Sequence, residues 1–116
     1  VYRGFYLDFE AKETKNKRSF PLKNFHQHQI DHMRSCLKQD GLCFVILRFS
    51  TINRLFLLEA SYLLNYWDEQ NTENGKKSIS LKELEKTGFE LYYNFSPRIP
   101  YLDVVDKLIE AYDKKR

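Results

Sequence analysis

The chain has 116 residues, of which 42% are hydrophobic and 30% are charged, and its formal net charge is +3. This length fits a single domain, and this composition excludes a disordered, collagen-like or low-complexity chain. No apolar run approaches the roughly 18–20 residues of a membrane span, and the start carries Arg3, Asp8 and Glu10 where a signal peptide is apolar. Because the chain has no initiator Met and opens almost directly in a strand pattern, we expect it to be part of a longer protein.

The first predicted elements in chain order are a strand, a loop and a helix. Residues 5–12 alternate between apolar and polar side chains, which is typical of a half-buried strand. Residues 14–23 form a polar, basic loop with Phe20-Pro21 as its apolar anchor. Asn24 is expected to cap a helix that runs to about residue 39, where Asp40-Gly41 ends it.

The remaining elements are predicted from burial pattern, caps and turn residues. We expect a strand buried on both faces over residues 42–49 and an antiparallel strand over 55–59. A helix over 61–67 and a surface loop over 68–77 follow. The last predicted elements are a helix capped by Ser80 and stopped by Gly88, an edge strand over 89–93 and a final helix over 101–112. This order predicts one α/β domain with a mixed β-sheet flanked by helices.

Positive charge is concentrated in one segment. Residues 12–23 hold five cations and one anion, a net charge of +4 from five minus one. A basic patch of this kind favours a polyanion partner, and a solvated lysine loop is the alternative. The two cysteines, Cys36 and Cys43, form no CxxC motif or disulfide framework, which indicates a reducing, cytoplasmic compartment.

Glu10 and Lys12 are the strongest candidates for catalysis. Strand alternation puts them on one face with Cα atoms about 6.6–6.8 Å apart. The carboxylate is suited to a hard divalent cation, and the lysine to an attacking water or a phosphate, which is the combination that phosphodiester hydrolysis requires. The alternative is a solvent-facing charged strand edge. Gln29, on the next helix, supplies an amide oxygen as a neutral ligand or a group that orients water.

Together with these candidate residues, several segments of the sequence resemble a known family, the RecU-type Holliday-junction resolvases. The resemblance is dense over residues 6–33 and is carried by four segments of the chain. They are EAKETKNKRSFPLKNF from Glu10 with the following His26, His28-Gln29 and His32-Met33; CFVILRF from Cys43; GKKSI from Gly75; and Pro97-Arg98-Ile99.

The resemblance implies a restriction-endonuclease-like fold of the PD-(D/E)xK superfamily over residues 1–116. It also implies a homodimer that cuts two strands of a four-way DNA junction with Mg²⁺, for which Mn²⁺ is a substitute. Glu10 matches the family's acidic metal ligand, Gln29 its amide ligand and Lys12 the lysine that stabilises the transition state. The family's other metal-binding carboxylate and its projecting stalk lie upstream of Glu10, before this chain begins, so the chain is expected to hold half an active site. Asp8 is a poor substitute for the missing carboxylate because it shares the strand with Glu10.

Several weaker signals have structural interpretations. His28 and His32 have the i, i+4 spacing of a zinc clamp, but surface histidines are favoured because no Glu follows His28 directly. Cys36 and Cys43 are interpreted as a core-edge and a buried thiol. A cluster of aromatic residues near the end of the 61–67 helix could stack on bases, although packing is favoured. Arg98 lies between two prolines and is assigned no single role.

The leading hypothesis is therefore a magnesium-dependent endonuclease that resolves Holliday junctions in recombination and repair. Lys15, Lys17, Arg18 and Lys23 are assigned to phosphate contact, because lysine-rich segments supply point charges without the bidentate pattern that selects a base. Expected partners are four-way junction DNA, a second copy of the chain and recombination proteins, with no membrane, in a bacterial cytoplasm at the nucleoid. The alternatives are a non-catalytic DNA-binding module and a structural protein–protein domain.

Overall fold

The computed structural model describes residues 7–92 of the chain. Its elements are β1 (Leu7–Thr14), β2 (Ser19–Pro21), a 3₁₀ turn (Leu22–Asn24), α1 (Gln27–Lys38), β3 (Leu42–Phe49), β4 (Arg54–Glu59), α2 (Ala60–Glu69), β5 (Ser78–Ser80), α3 (Leu81–Thr87) and β6 (Phe89–Leu91). The final helix predicted over residues 101–112, and Arg98, lie outside the described residues. No helix in the described part is long and apolar enough to cross a bilayer.

Four of the strands form a mixed sheet in the order β1-β3-β4-β6. β1 runs parallel to β3, with Glu10 beside Val45 and Lys12 beside Leu47, and the other two pairings are antiparallel. The parallel pairing requires a crossover, which α1 supplies. The predicted mixed sheet with flanking helices is confirmed, as are the antiparallel neighbour of β3 and the edge position of β6.

The apolar side chains of β3 and β4 explain why these strands occupy the middle of the sheet. One face packs with the helices into the main core, to which Val45, Leu47 and Phe56 belong. On the opposite face Phe44, Ile46 and others are also buried. A strand buried on both faces is mostly apolar along its length, as predicted for residues 42–49, and only Arg48 is exposed in β3.

The two turns beside β3 use residues that tolerate a left-handed backbone. Asp40 follows α1 with φ 56°, and Asn53 precedes β4 with φ 51°. Asp and Asn adopt this conformation more readily than other residues with side chains, so both turns close without glycine at the strained position. Gly41 then donates its backbone N–H to the carbonyl of Cys36 at 2.9 Å and ends the helix.

The start of α1 differs from the sequence-based expectation. Asn24 belongs to the preceding 3₁₀ turn, and the N-cap of α1 is His26. The side-chain amide of Asn24 instead donates to the backbone carbonyl of Glu13 at 3.3 Å. Asn was assigned as the cap because it is a frequent N-cap residue, but the buried residues Leu22 and Phe25 on either side fix a separate turn ahead of the helix.

The basic segment of residues 14–23 is not a continuous loop, which corrects a second expectation. β2 lies inside it and pairs antiparallel with β5, with Ser19 opposite Ser80 and Pro21 opposite Ser78. Phe20 is fully buried at the centre of this pair. Both strands are too short to show alternation, and β2 contains a proline, so sequence patterning favoured a loop.

The faces of β1 are also assigned differently by the structure. Phe9 is 45% exposed and Ala11 is exposed, whereas Asp8, Glu10 and Lys12 are half-buried. The alternation was predicted correctly, but the charged face is the one that α1 covers. It is held there by side-chain contacts to α1 and to the residues just before it, which are described below.

Ser80 is predicted to stabilise α3 through its side chain. Its Oγ accepts a hydrogen bond from the backbone N–H of Glu83 at 3.1 Å, as the capping motif in the sequence predicts. We expect Ser80→Ala to lower the free energy of unfolding by about 0.5–2 kcal/mol, measured by urea denaturation. Ser61→Ala in α2 is the matched control, since the Ser61 hydroxyl makes no hydrogen bond within residues 7–92; equal losses in the two variants would contradict the capping role.

Candidate active site

The side chains of Glu10 and Gln29 meet between β1 and α1. Gln29 Nε2 lies 3.5 Å from Glu10 Oε2, and both side chains are half-buried. Glu10 points to this side because its register partner Val45 faces the main core. The two residues are 19 positions apart in the sequence, so the parallel crossover through α1 is what brings the predicted carboxylate and amide together.

The amide of Gln29 also supports the start of α1. Its Oε1 accepts a hydrogen bond from the backbone N–H of His26 at 3.0 Å. This is the contact that the third residue of a helix makes in a capping box, in which Gln is a usual residue. The amide oxygen therefore satisfies a backbone donor while the amide nitrogen faces Glu10.

A second link between β1 and α1 lies beside the first. His32 Nε2 contacts Asp8 Oδ2, two residues along the strand from Glu10 and one helical turn from Gln29. Spacing of two on a strand and three on a helix keeps both pairs on the facing surfaces of the two elements. The sequence predicts Asp8 to be a poor metal ligand and His32 to be a surface histidine, and its only signal for this pair is their shared register with Glu10 and Gln29.

Lys12 extends the same face of β1 toward the basic segment. Its Nζ lies 6.0 Å from the centroid of the Phe25 ring, and the side chain is half-buried. A cation over a ring face is attracted to the π-electrons. Phe25 thus positions the ammonium group on the side of β1 that also carries Glu10.

The oxygen donors at this site are of the type that a hard divalent cation prefers, but there are too few of them to complete its coordination. Glu10 and Gln29 offer carboxylate and amide oxygens, which Mg²⁺ prefers. Within residues 7–92, however, no group of three or more His, Cys, Asp or Glu residues could hold a metal ion. The i, i+4 pair His28 and His32 diverges as well, since the ring of His28 stacks on His26 at 5.7 Å while His32 contacts Asp8.

The backbone next to the basic residues is fixed at both ends. Ser50 donates from its N–H and its Oγ to the carbonyl of Thr14, at 3.0 and 3.1 Å. Thr51 Oγ1 donates to the carbonyl of Lys15 at 2.7 Å, and Leu81 N–H donates to the carbonyl of Arg18 at 2.8 Å. The exposed residues 15–18 therefore project from an anchored loop.

The charges on this segment are available to a partner. The side chains of Lys15, Lys17, Arg18 and Lys23 are exposed, and none forms an ion pair with a carboxylate of the described residues. The one anion nearby, Glu13, lies 3.5 Å from Arg48 Nε. The structure thus places four of the sequence-predicted residues on one continuous stretch that begins where β1 ends.

The fold around this site is a mixed sheet with helices packed on one face, consistent with a restriction-endonuclease-like core. The chain belongs to the Recombination protein U family, whose model matches residues 1–107. The resemblance noted from the sequence is confirmed.

Curated relatives agree with this assignment. The chain is 63% identical over 110 residues to a protein of Lactiplantibacillus plantarum, 64% over 111 residues to one of Lacticaseibacillus casei and 55% over 108 residues to one of a Geobacillus strain. Each is named Holliday junction resolvase RecU. The matches cover 95%, 96% and 93% of this chain and 53% of each relative, so the chain spans about half the length of the relatives it matches.

The two thiols lie behind the Asp8 end of the site, and we expect them to be unreactive. Cys36 on α1 and Cys43 on β3 are free and buried, as predicted. Burial raises the pKa of the Cys43 thiol to about 12, and the neighbouring Cys36 and Asp8 add to the effect. Burial is also the main cause of a raised pKa at Cys36.

We expect these thiols to resist alkylation in the folded protein. With a pKa of about 12, the thiolate fraction of Cys43, and with it the labelling rate, should increase about tenfold per pH unit through pH 10. The thiolate fraction of an ordinary thiol, of pKa about 8.5, levels off above about pH 9. Iodoacetamide labelling followed by mass spectrometry checks this, with the urea-unfolded protein as the control. A labelling rate for folded Cys43 that levels off near pH 9 would contradict the assignment.

Proposed function

We propose that this chain carries the catalytic part of a divalent-cation-dependent endonuclease that resolves four-way DNA junctions. The observation that carries the proposal is the meeting of Glu10 and Gln29 at 3.5 Å, with Lys12 on the same face of β1. The names of the relatives, Holliday junction resolvase RecU, support the substrate class. Phosphodiester hydrolysis needs a held phosphate, an activated water and neutralisation of the charge that develops at phosphorus.

The residues of this chain take distinct roles in that reaction. Glu10 and Gln29 would hold Mg²⁺, or Mn²⁺ in its place, which would supply an activated water and polarise the phosphate. Lys12, positioned by Phe25, stabilises negative charge on the phosphate in the transition state. The Gln29 Oε1 that would face the cation also accepts from the His26 N–H, so the helix cap helps to orient this amide. Residues 7–92 supply only these two donors, so waters or residues outside this range would complete the coordination of the cation.

The substrate also suggests how the protein is assembled and where it acts. Two strands of a four-way junction must be cut, and a two-fold symmetric homodimer presents two copies of one site. Recombination proteins are the further partners that such a substrate brings together. Because the relatives are bacterial and the substrate is chromosomal DNA, we place the protein in the cytoplasm, at the nucleoid.

The catalytic assignment predicts a loss of cleavage without a loss of binding. In the full-length parent, Glu10→Gln and Lys12→Ala should each lower the cleavage rate of a synthetic four-way junction by roughly 10²–10³-fold, since each removes charge stabilisation at the reacting phosphate. Junction affinity, measured by fluorescence anisotropy, should change only a few-fold. Glu13→Gln is the matched control: this carboxylate is exposed on the opposite face of β1, and its variant should cleave normally.

The outcomes also separate the competing functions. Intact cleavage by Glu10→Gln and Lys12→Ala would show that the catalytic residues are misassigned. Junction binding by the unmodified protein without cleavage in Mg²⁺ or Mn²⁺ would instead favour a non-catalytic binding module. The incomplete set of metal ligands within residues 7–92 is the observation that favours this alternative. A structural protein–protein domain predicts no salt-sensitive DNA binding.

The basic residues predict a change in the salt dependence of binding. Replacing Lys15, Lys17 and Arg18 together by Gln should weaken junction and duplex binding alike, because phosphate contacts are independent of sequence and shape. If each residue contacts one phosphate, the slope of log K against log salt falls by up to about 2.7. An unchanged slope would show that these residues lie away from DNA. Loss of junction preference at unchanged duplex affinity would make the loop a reader of shape.

A further inference from the structure

The pairing of β2 with β5 creates a groove between two distant parts of the chain. Leu22 N–H donates to the carbonyl of Lys77 at 3.0 Å, and Pro21 lies opposite Ser78. The segment that follows β1 is thereby held against the segment that precedes α3. Between them lies a groove of about 380 Å³ whose polar lining comprises Asn16, Ser19, Lys23, Gln70, Lys77 and Ser78.

The lining of this groove has the chemistry of an anion site. It combines two ammonium groups with hydroxyl and amide groups that donate hydrogen bonds, and it includes no carboxylate. Lys23 and Lys77 are both exposed, and neither forms an ion pair with a carboxylate in the described part of the chain. Lys77 Nζ donates to Asn71 Oδ1 at 2.8 Å, which holds the ammonium group in place and leaves two of its three donors for a ligand.

A second pocket beside the same segment has a different lining. Lys76 lines that second pocket, together with Glu69 and Glu83, so its positive charge lies among carboxylates. An anionic ligand is therefore repelled from the Lys76 side of the segment and attracted to the Lys77 side. Two adjacent lysines with the same formal charge thus have opposite surroundings.

We propose that this groove binds the phosphodiester backbone of DNA, with Lys23 and Lys77 each contacting a phosphate. The inference rests on the proposed nuclease function and extends the DNA path beyond the segment that the sequence identified. The groove begins at Asn16, whose backbone N–H donates to Thr14 Oγ1 at 3.2 Å at the end of β1. A strand that has a phosphate at Glu10 and Lys12 and follows β1 toward Thr14 would enter the groove. Hydroxyl and amide groups commonly hold such backbones alongside lysine.

The test compares the removal of one positive charge at each of two neighbouring lysines, Lys76 and Lys77, in the full-length protein. Binding to a four-way junction and to duplex DNA is measured by fluorescence anisotropy between 50 and 200 mM salt, in Ca²⁺ to suppress cleavage. Lys77→Gln should lower the log–log salt slope by about 0.9, and Lys23→Gln with Lys77→Gln by about 1.8. Lys76→Gln, which removes the same charge one residue away, should leave the slope unchanged. Lys77→Arg should retain the slope of the unmodified protein.

The remaining outcomes overturn the proposal and show which part has failed. Equal slopes for Lys76→Gln and Lys77→Gln would mean that overall charge, and not the groove, sets the affinity. An unchanged slope for Lys77→Gln, with cleavage still dependent on Glu10, would remove the groove and leave the nuclease function standing. Absence of any junction binding by the unmodified protein would remove both. Far-ultraviolet circular dichroism of each variant establishes that the fold is intact.

Discussion

The attachment of β1 to α1 through the charged face of the strand is the constraint on which the rest of the site depends. In most sheets a covering helix packs on apolar side chains, but here Asp8, Glu10 and Lys12 lie on the covered side and Phe9 is 45% exposed. Placing charged groups under a helix is unfavourable unless each has a polar or aromatic partner. His32, Gln29 and Phe25 provide those partners in turn.

This arrangement is not the one that stability alone would favour. Apolar side chains at positions 8, 10 and 12 would pack against the main core without any need for partners, and replacing polar pairs by apolar residues is often neutral or stabilising. In β1 the charged face is covered and the apolar residue Phe9 is exposed. In a structure optimised only to fold, the hydrophobic pattern and the burial of each face are expected to agree, and β1 departs from this expectation. Such departures are expected at functional sites, and this one coincides with the residues that the nuclease hypothesis requires.

The sequence predicted most of the fold because the larger elements carry their own signals. β3 is apolar except for the exposed Arg48, and α3 has both its Ser80 cap and its Gly88 stop. The sequence could not show which face of β1 is covered, because alternation distinguishes two faces without saying what packs on either. The three-residue strands β2 and β5 were missed for a different reason: their pairing joins residues about 60 positions apart, and neither strand is long enough to have a period.

For the candidate site, the residue types at Glu10, Lys12 and Gln29 were visible from the sequence, whereas the Asp8–His32 contact and the His26 cap depend on the register of α1 over β1.

Thr14 is where the chemical and the binding parts of the molecule join. It is a buried polar residue at the end of β1: its carbonyl accepts from Ser50, and its Oγ1 accepts from the N–H of Asn16. On one side of it the strand carries Glu10 and Lys12; on the other, the chain turns into the exposed cations and the groove. Because both sides are anchored to the same buried residue, the backbone of the basic segment is fixed relative to Glu10. Binding groups fixed before the ligand arrives lose less entropy when it binds, and under the proposed function they would also orient the reacting phosphate for hydrolysis. Under that proposal, the β2–β5 pair makes the basic segment part of the active-site framework, and the charge that attracts DNA also sets where it is cut.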